Sequence, residues 1–256
     1  MTSNDYLIQT LNKYQAKNLY SYSSKISTLK NILQTWASSC FVEILDSGSR
    51  AKGTAIHLAS DVDYLVSLTS GCNENNGGLK NIYDSLYSKL KENYSNVRKQ
   101  NVSFRILLDD LEVDITPARK YSGHTNYHSL YVSKKDTWQQ TNIQRHINDV
   151  SQSKRTNEIK LLKIWRELHK IDFPSIYMEY LIITNILYNR STELSNLSNN
   201  FWHILSELSK DNANPLFVKI IDPANSNNIL STNEKNNIIN KAKESVSKSD
   251  WSYIVS

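Results

Sequence analysis

Residues 46 to 66 read DSGSRAKGTAIHLASDVDYLV, a Gly-Ser pair followed by two aspartates one residue apart in an apolar run. Side chains alternate along a strand, so Asp61 and Asp63 share one face while Val62, Tyr64 and Val66 share the other. Two residues of strand span about 6.6–6.8 Å, which lets both carboxylates converge on hard cations. Carboxylate oxygens suit magnesium, which keeps several waters and bridges to substrate phosphates. A pair of such ions, about 3.5–4 Å apart, clamps the attacking and leaving oxygens of an in-line displacement. That arrangement calls for a third carboxylate, and LEVDITPA offers Asp114 between Val113 and Ile115. Gly48 lets backbone amides approach a phosphate, with the Ser49 hydroxyl and neighbouring N–H groups cradling its oxygens. GSRAKG also imitates the opening of a P-loop, but Thr54-Ala55 stands where Lys-Ser/Thr is needed, which excludes that motif. There is no GxSxG nucleophile elbow either. Singly, a Gly-Ser turn is an ordinary turn and an Asp-x-Asp strand an ordinary solvated face. Their order along the chain carries the weight.

The elements that must hold these residues emerge from apolar spacing. Residues 4 to 38 are helix-like, with Leu7, Leu11, Tyr14, Ile26, Leu29 and Leu33 at helical steps. CFVEIL reads as a strand running into the Gly48-Ser49 turn, and DVDYLVSL as a second. LKNIYDSLYSKLKENY is a helix. VSFRILL and LEVDITPA are paired strands around Asp109-Asp110, the second ending at Pro117. Beyond about residue 150 the spacing is helical, in RTNEIKLLKIWRELHK, SIYMEYLIITNILYN, NNFWHILSELSK and NEKNNIINKAKESVSK. Asn/Ser-rich stretches at 189–200 and 224–237 read as connectors. The expectation is an α/β lobe followed by a helical lobe, with a ligand cleft between them.

GSRAKGT…SDVDYLV…VDITPAR resembles the nucleotidyltransferase superfamily typified by DNA polymerase β. More narrowly, it is similar to the branch containing oligoadenylate synthase, cyclic GMP–AMP synthase and the bacterial cyclic-oligonucleotide synthases (CD-NTases). DTWQQTNIQRH matches that branch's W-x-x-T-N-P-x-x-H at Trp138, Thr141, Asn142 and His146, with Ile143 in place of proline. IKLLKIWR and FPSIYMEYLI resemble its helical-lobe segments, and IIDPANSNNIL its DP-x-N-x-x-N-N segment. The resemblance implies an α+β fold, a polymerase β-like nucleotidyltransferase core with a mixed sheet plus a C-terminal helical lobe. Residues 1–150 would form the catalytic lobe with an N-terminal helix, and 151–256 the helical lobe closing the nucleotide cleft.

It further implies Asp61, Asp63 and Asp114 as catalytic ligands of two Mg2+ ions, with Mn2+ as an alternative. Asp114 would also sit where the attacking hydroxyl is activated. Gly48 and Ser49 would hold the triphosphate, and Lys163 and Ser175 match positions that contact donor phosphates, with Lys160 joining them by its spacing. The lysines have independent support, since three residues apart they share a helix face; the bland alternative for Lys163 is a surface pair with Glu167. The implied substrates are ribonucleoside triphosphates, joined into a cyclic di- or trinucleotide messenger for antiphage defence that a downstream effector protein binds. The rivals are a template-independent RNA or tRNA 3′-end nucleotidyltransferase and a catalytically silent nucleotide-binding homologue.

Composition sets the limits. Thirty basic against twenty-five acidic residues give +5 over 256 residues, an excess that suits polyanionic ligands. No run of like charges forms a nucleic-acid-binding tail, so no stable nucleic-acid partner is expected. Cys40 and Cys72 form no CxxC, which points to neither a disulfide framework nor a zinc ribbon, and a reduced cytoplasm is the default location. The N-terminus lacks a signal-peptide pattern, and IYMEYLIITNILY, carrying Glu179, is too short to span a bilayer. His124 and His128 have a chelating spacing but stand in a non-periodic stretch, so a loop near the active site is expected there. Tyr177 is a candidate for base stacking, though most aromatic side chains belong to cores.

Overall fold

The computed structural model describes residues 2–59, 61–73, 75–123, 126–218 and 230–256. Its strands are β1 (Phe41–Ser47), β2 (Val62–Leu68), β3 (Arg98–Lys99), β4 (Phe104–Leu108), β5 (Leu111–Lys120), β6 (His128–Val132) and β7 (Thr137–Thr141). The first helices are α1 (Ser3–Lys13), α2 (Ser23–Ala37), α3 (Gly48–Ala51) and α4 (Gly78–Asn93). After the strands come α5 (Ile143–Gln152), α6 (Thr156–Leu168), α7 (Ser175–Leu181), α8 (Leu197–Leu208) and α9 (Thr232–Val246). The chain divides into two compact units, each discontinuous in sequence. Residues 18–51 and 60–147 make a sheet unit; 1–17, 52–59 and 148–256 make a helical unit. The chain last passes from the sheet unit to the helical unit between residues 147 and 148, and residues 1–17 and 52–59 cluster with the C-terminal helices.

The sheet runs β1-β2-β5-β4-β3, with β6 joining β5 to β7. It is mixed, because β2 and β5 are parallel while the other pairs are antiparallel. A near-continuous apolar run such as VDYLVSL suits a central strand covered on both faces. One face packs Val62, Tyr64, Val66, Val113 and Ile115 against Leu29 and Leu33 of α2 and Ile82, Leu86 and Leu90 of α4. On the other, Leu65, Ala118 and Leu130 form a smaller cluster.

Several expectations are corrected. The helix-like stretch 4–38 is two helices, because the chain passes from the helical unit to the sheet unit at residues 17–18. Strand β5 does not end at Pro117 but continues to Lys120. Pairing with β4 stops at Ile115 and pairing with β6 starts at Arg119, so the missing N–H of proline falls in a gap of the ladder. The hairpin β6–β7 adds to the expected strands, although His128, Leu130 and Val132 alternate as a buried face requires. Cys40 and Cys72 are joined in a disulfide, with Cα atoms 5.5 Å apart. They stand 32 positions apart in the sequence, and they meet because β1 pairs antiparallel with β2 through Phe41 and Leu68.

In the helical unit α6 is buried nearly all round through Ile159, Leu161, Leu162, Ile164 and Trp165. It packs with Leu7 of α1, Met178 and Leu181 of α7, Phe201 and Leu205 of α8, and Ile238 and Ala242 of α9. A Ser231–Glu234 capping box starts α9. The IIDPANSNNIL segment lies outside the described residues apart from its final Leu230, as does the part of the expected 224–237 connector before that leucine. Among the described residues no helix is long and apolar enough to cross a membrane.

Candidate active site

The sheet register assembles the site. Ser47 on β1 is opposite Asp63 on β2, Asp63 lies beside Asp114 on β5, and Asp114 is opposite Arg105 on β4. Asp61 stands one residue ahead of β2. One carboxylate oxygen from each of Asp61, Asp63 and Asp114 lies within 4.8 Å of the others. Two features of backbone and chemistry fit this group to a divalent cation. The donors are all hard carboxylate oxygens, the ligand set that magnesium and manganese favour. And at Gly48, the first residue of α3, a Cβ would come 1.8 Å from Asp63 Oδ2, while φ of +63° already favours glycine. The turn therefore closes onto the carboxylate at backbone distance. Ser49 comes next in α3.

The electrostatics are those of crowded acids. Burial pushes the Asp61 carboxyl up, and the charge of Asp114 adds to the shift while Arg105 opposes it. Arg105 Nε donates to Asp114 Oδ1 at 2.6 Å, and its Nη2 donates at 2.7 Å to both Asp61 Oδ2 and Asp114 Oδ2. Its Nη1 reaches Glu112. The hydrogen bond to Asp114 is the main reason that the guanidinium holds its proton above the ordinary arginine range. Gln100 Nε2 also donates to Asp114 Oδ1 at 3.1 Å, and Ser103 Oγ fixes that amide through Gln100 Oε1 at 2.8 Å. Sequence reasoning misses Arg105 and Gln100. A count across the Asp109-Asp110 turn, where Leu108 pairs with Leu111, places Arg105 opposite Asp114 and is the signal that could find the first.

Lys160, Lys163 and Ser175 belong to the helical unit. Lys163 is buried, and its ammonium donates to Thr54 Oγ1 and Glu179 Oε1, both at 2.8 Å. Lys52 donates to the other Glu179 oxygen at 2.5 Å. The surface pairing with Glu167 does not occur, because Glu167 takes Arg166 instead. Burial alone would push the Glu179 carboxyl up, but Lys52 and Lys163 outweigh it and hold the group below the glutamate range. Lys160 is half-buried, which lowers its pKa, and it lines a cavity of about 250 Å³ with Ile8, Tyr14, Gln15 and Ala55. Ser175 opens α7 and accepts from Arg166 Nη1 at 2.9 Å.

His124 lies outside the described residues. His128 is not in a loop but opens β6, buried, with Nε2 2.8 Å from Ser67 Oγ. Tyr177 is core, its hydroxyl donating to Leu216 O at 3.2 Å. Ile143, standing where the related segment has proline, is the first residue of α5, and Asn142 Oδ1 caps that helix by accepting from Arg145 N at 3.0 Å. Proline is favoured at a first helical position because the N–H it lacks would be unpaired there, and isoleucine occupies that position here.

A mixed sheet carrying a Gly-Ser turn and three converging aspartates, with a helical unit in the same chain, is the nucleotidyltransferase fold of the polymerase β type. Within that class, the sequence profile of the Second Messenger Oligonucleotide or Dinucleotide Synthetase (SMODS) domain matches residues 1–154, and the chain belongs to that family. A curated relative, the cyclic AMP-AMP-AMP synthase of Escherichia coli (strain MS 115-1), is 27% identical over 57% of this chain. The match spans 50% of that relative's length. Among solved structures, E. coli MS115-1 CdnC with ATP has a TM-score of 0.72 at 21% identity, covering 96% of this chain and 91% of that one. The Bradyrhizobium diazoefficiens CD-NTase CdnG in complex with GTP has a TM-score of 0.73 at 10% identity, covering 99% and 96%. At these identities the likeness is one of fold.

Proposed function

We propose that this protein joins ribonucleoside triphosphates into a cyclic di- or trinucleotide, releasing one pyrophosphate per bond. The observation that carries this is the convergence of Asp61, Asp63 and Asp114 within 4.8 Å beside the Gly48 turn. The three aspartates would hold two Mg2+ ions, with Mn2+ as a substitute, and the ions supply charge neutralisation at the reacting phosphate. The chain's own contribution is positioning. Strand register fixes Asp63 beside Asp114, Gly48 and Ser49 offer amides and a hydroxyl to phosphate oxygens, and Asp114 faces the attacking ribose hydroxyl. Lys160, Lys163 and Ser175 are proposed to serve the donor triphosphate. Lys160, half-buried, suits direct contact; Lys163, held by Thr54 and Glu179, suits fixing the 52–59 segment.

The product would be a second messenger acting in antiphage defence through a separate effector protein. The enzyme would work in the cytoplasm, where its triphosphate substrates are. The names of the relatives put ATP first among the nucleotides to try. The test is incubation with four labelled ribonucleotides and MgCl2, without RNA, then phosphatase treatment and mass analysis. A cyclic product has no terminal phosphate, so it resists phosphatase. Its mass is that of whole nucleoside monophosphates less the same number of waters. Label found only on added RNA would overturn the cyclase reading in favour of 3′-end addition.

A further inference from the structure

Joining nucleotides requires carboxylates and cations, but it does not require an arginine among the carboxylates. Arg105 nevertheless sits there by backbone design, since the β4–β5 register sets it opposite Asp114 and the hairpin turn leaves no slack. Its side chain is enclosed, at 19% exposure, and its guanidinium holds three acids at once: Asp61, Asp114 and Glu112. One nitrogen, Nη2, bridges Asp61 Oδ2 and Asp114 Oδ2 at 2.7 Å each. Those two residues are proposed ligands from different parts of the sheet, so the bridge covers the point where a single cation would join them.

Resting on the reading of the triad as a metal site, we propose that Arg105 is a built-in counter-cation that tunes how tightly the site takes a divalent ion. Its geometry has two consequences. The Nε bond to Asp114 Oδ1, together with Gln100 on the same carboxylate, keeps Asp114 oriented before any ligand arrives. The Nη2 bridge opposes a cation both by occupying the oxygens and by placing a positive charge a few ångströms away, where screening is weak. Metal then binds best when something adds negative charge to the site, and a nucleoside triphosphate does so. The nucleotide-free protein would hold its cations loosely, and the charged substrate would complete the site. Arg105 is thus a positioning residue.

The test is Mn2+ binding to the protein without nucleotide, read from the electron paramagnetic resonance of free Mn2+ at constant ionic strength. Arg105→Gln should bind Mn2+ at least tenfold more tightly than the parent, and Mn2+ should raise its unfolding temperature by more. Arg105→Lys should tighten binding about threefold, because one ammonium cannot fork across both carboxylates; it tests the same claim if the glutamine variant fails to fold. A merely structural role would loosen the triad instead, so unchanged or weaker binding in the substituted protein overturns the inference. If the parent binds no Mn2+ even with a non-hydrolysable ATP analogue, the metal reading itself falls, and this inference with it. If the parent binds and the variants bind no tighter, only the role of Arg105 falls.

Discussion

The two units each enclose a charged cluster, and the clusters are near inversions of one another. In the sheet unit Asp61, Asp114 and Glu112 surround Arg105, with Asp63 beside the first two and the charge of Asp61 also acting on Arg50. In the helical unit Lys52 and Lys163 flank the single acid Glu179. The first has an excess of negative charge and is partly open, with Asp61 at 29% and Asp114 at 11% exposure. The second is sealed, Glu179 having no exposed side-chain surface. A sealed, well-bonded cluster fixes structure, whereas an unbalanced and accessible group of carboxylates can hold a metal ion. Perturbed carboxyls alone would not tell the two apart; access and charge balance do.

Replacing acids in the open cluster should have the largest effect. Asp61→Asn combined with Asp63→Asn should lower product formation about a thousandfold or more, roughly 4 kcal/mol of transition-state stabilisation. The unfolding temperature should not fall, because like charges are removed. Activity near that of the parent would erase the distinction between the clusters. The sealed cluster should respond in the opposite sense. Glu179→Ala should cost about 3–5 kcal/mol of stability in denaturant unfolding, since two buried lysines lose their partner.

Acidity sharpens the contrast. The folded-state pKa of Glu179 lies below its unfolded value of 4.5, so the stabilisation is complete above that value and fades as pH falls below it. Between pH 7 and pH 4 the unfolding midpoint should therefore drop more for the parent than for Glu179→Gln. A smaller effect is expected at the turn. Gly48→Ala should cost about 1–3 kcal/mol from its positive φ and displace Asp63, so activity falls with only modest loss of stability. Ser49→Ala, which removes one neutral hydrogen bond, should weaken triphosphate binding by about 0.5–1.5 kcal/mol in calorimetry.

The open cluster is legible in the sequence because strand alternation is local: Asp61, Asp63 and Asp114 announce themselves by what flanks them. Arg105 is readable in principle, since a two-residue turn fixes the hairpin register. The sealed cluster is not, because Lys52 and Glu179 lie 127 residues apart and only the fold brings them together. Lys163 shows the limit from the other side. Its spacing from Lys160 suggests a surface face, and packing of α6 on nearly every side removes that surface. The helical lobe is visible as periodicity, but the two N-terminal segments that join it are not, since membership of a unit is a tertiary property.

The Cys40–Cys72 bond closes a covalent ring that contains β1, Gly48, Ser49, Asp61 and Asp63. Residues 52–59, which belong to the helical unit, lie inside the same ring. Closing a loop of this length removes unfolded-state freedom equivalent to about 3–4 kcal/mol in the chain-entropy account. A single protease cut anywhere between residues 41 and 71 would leave one covalent molecule, visible as two fragments only after thiol is added. In a reducing compartment the ring opens, and a cut between residues 49 and 61 would then separate the Gly-Ser turn from the aspartates that it serves.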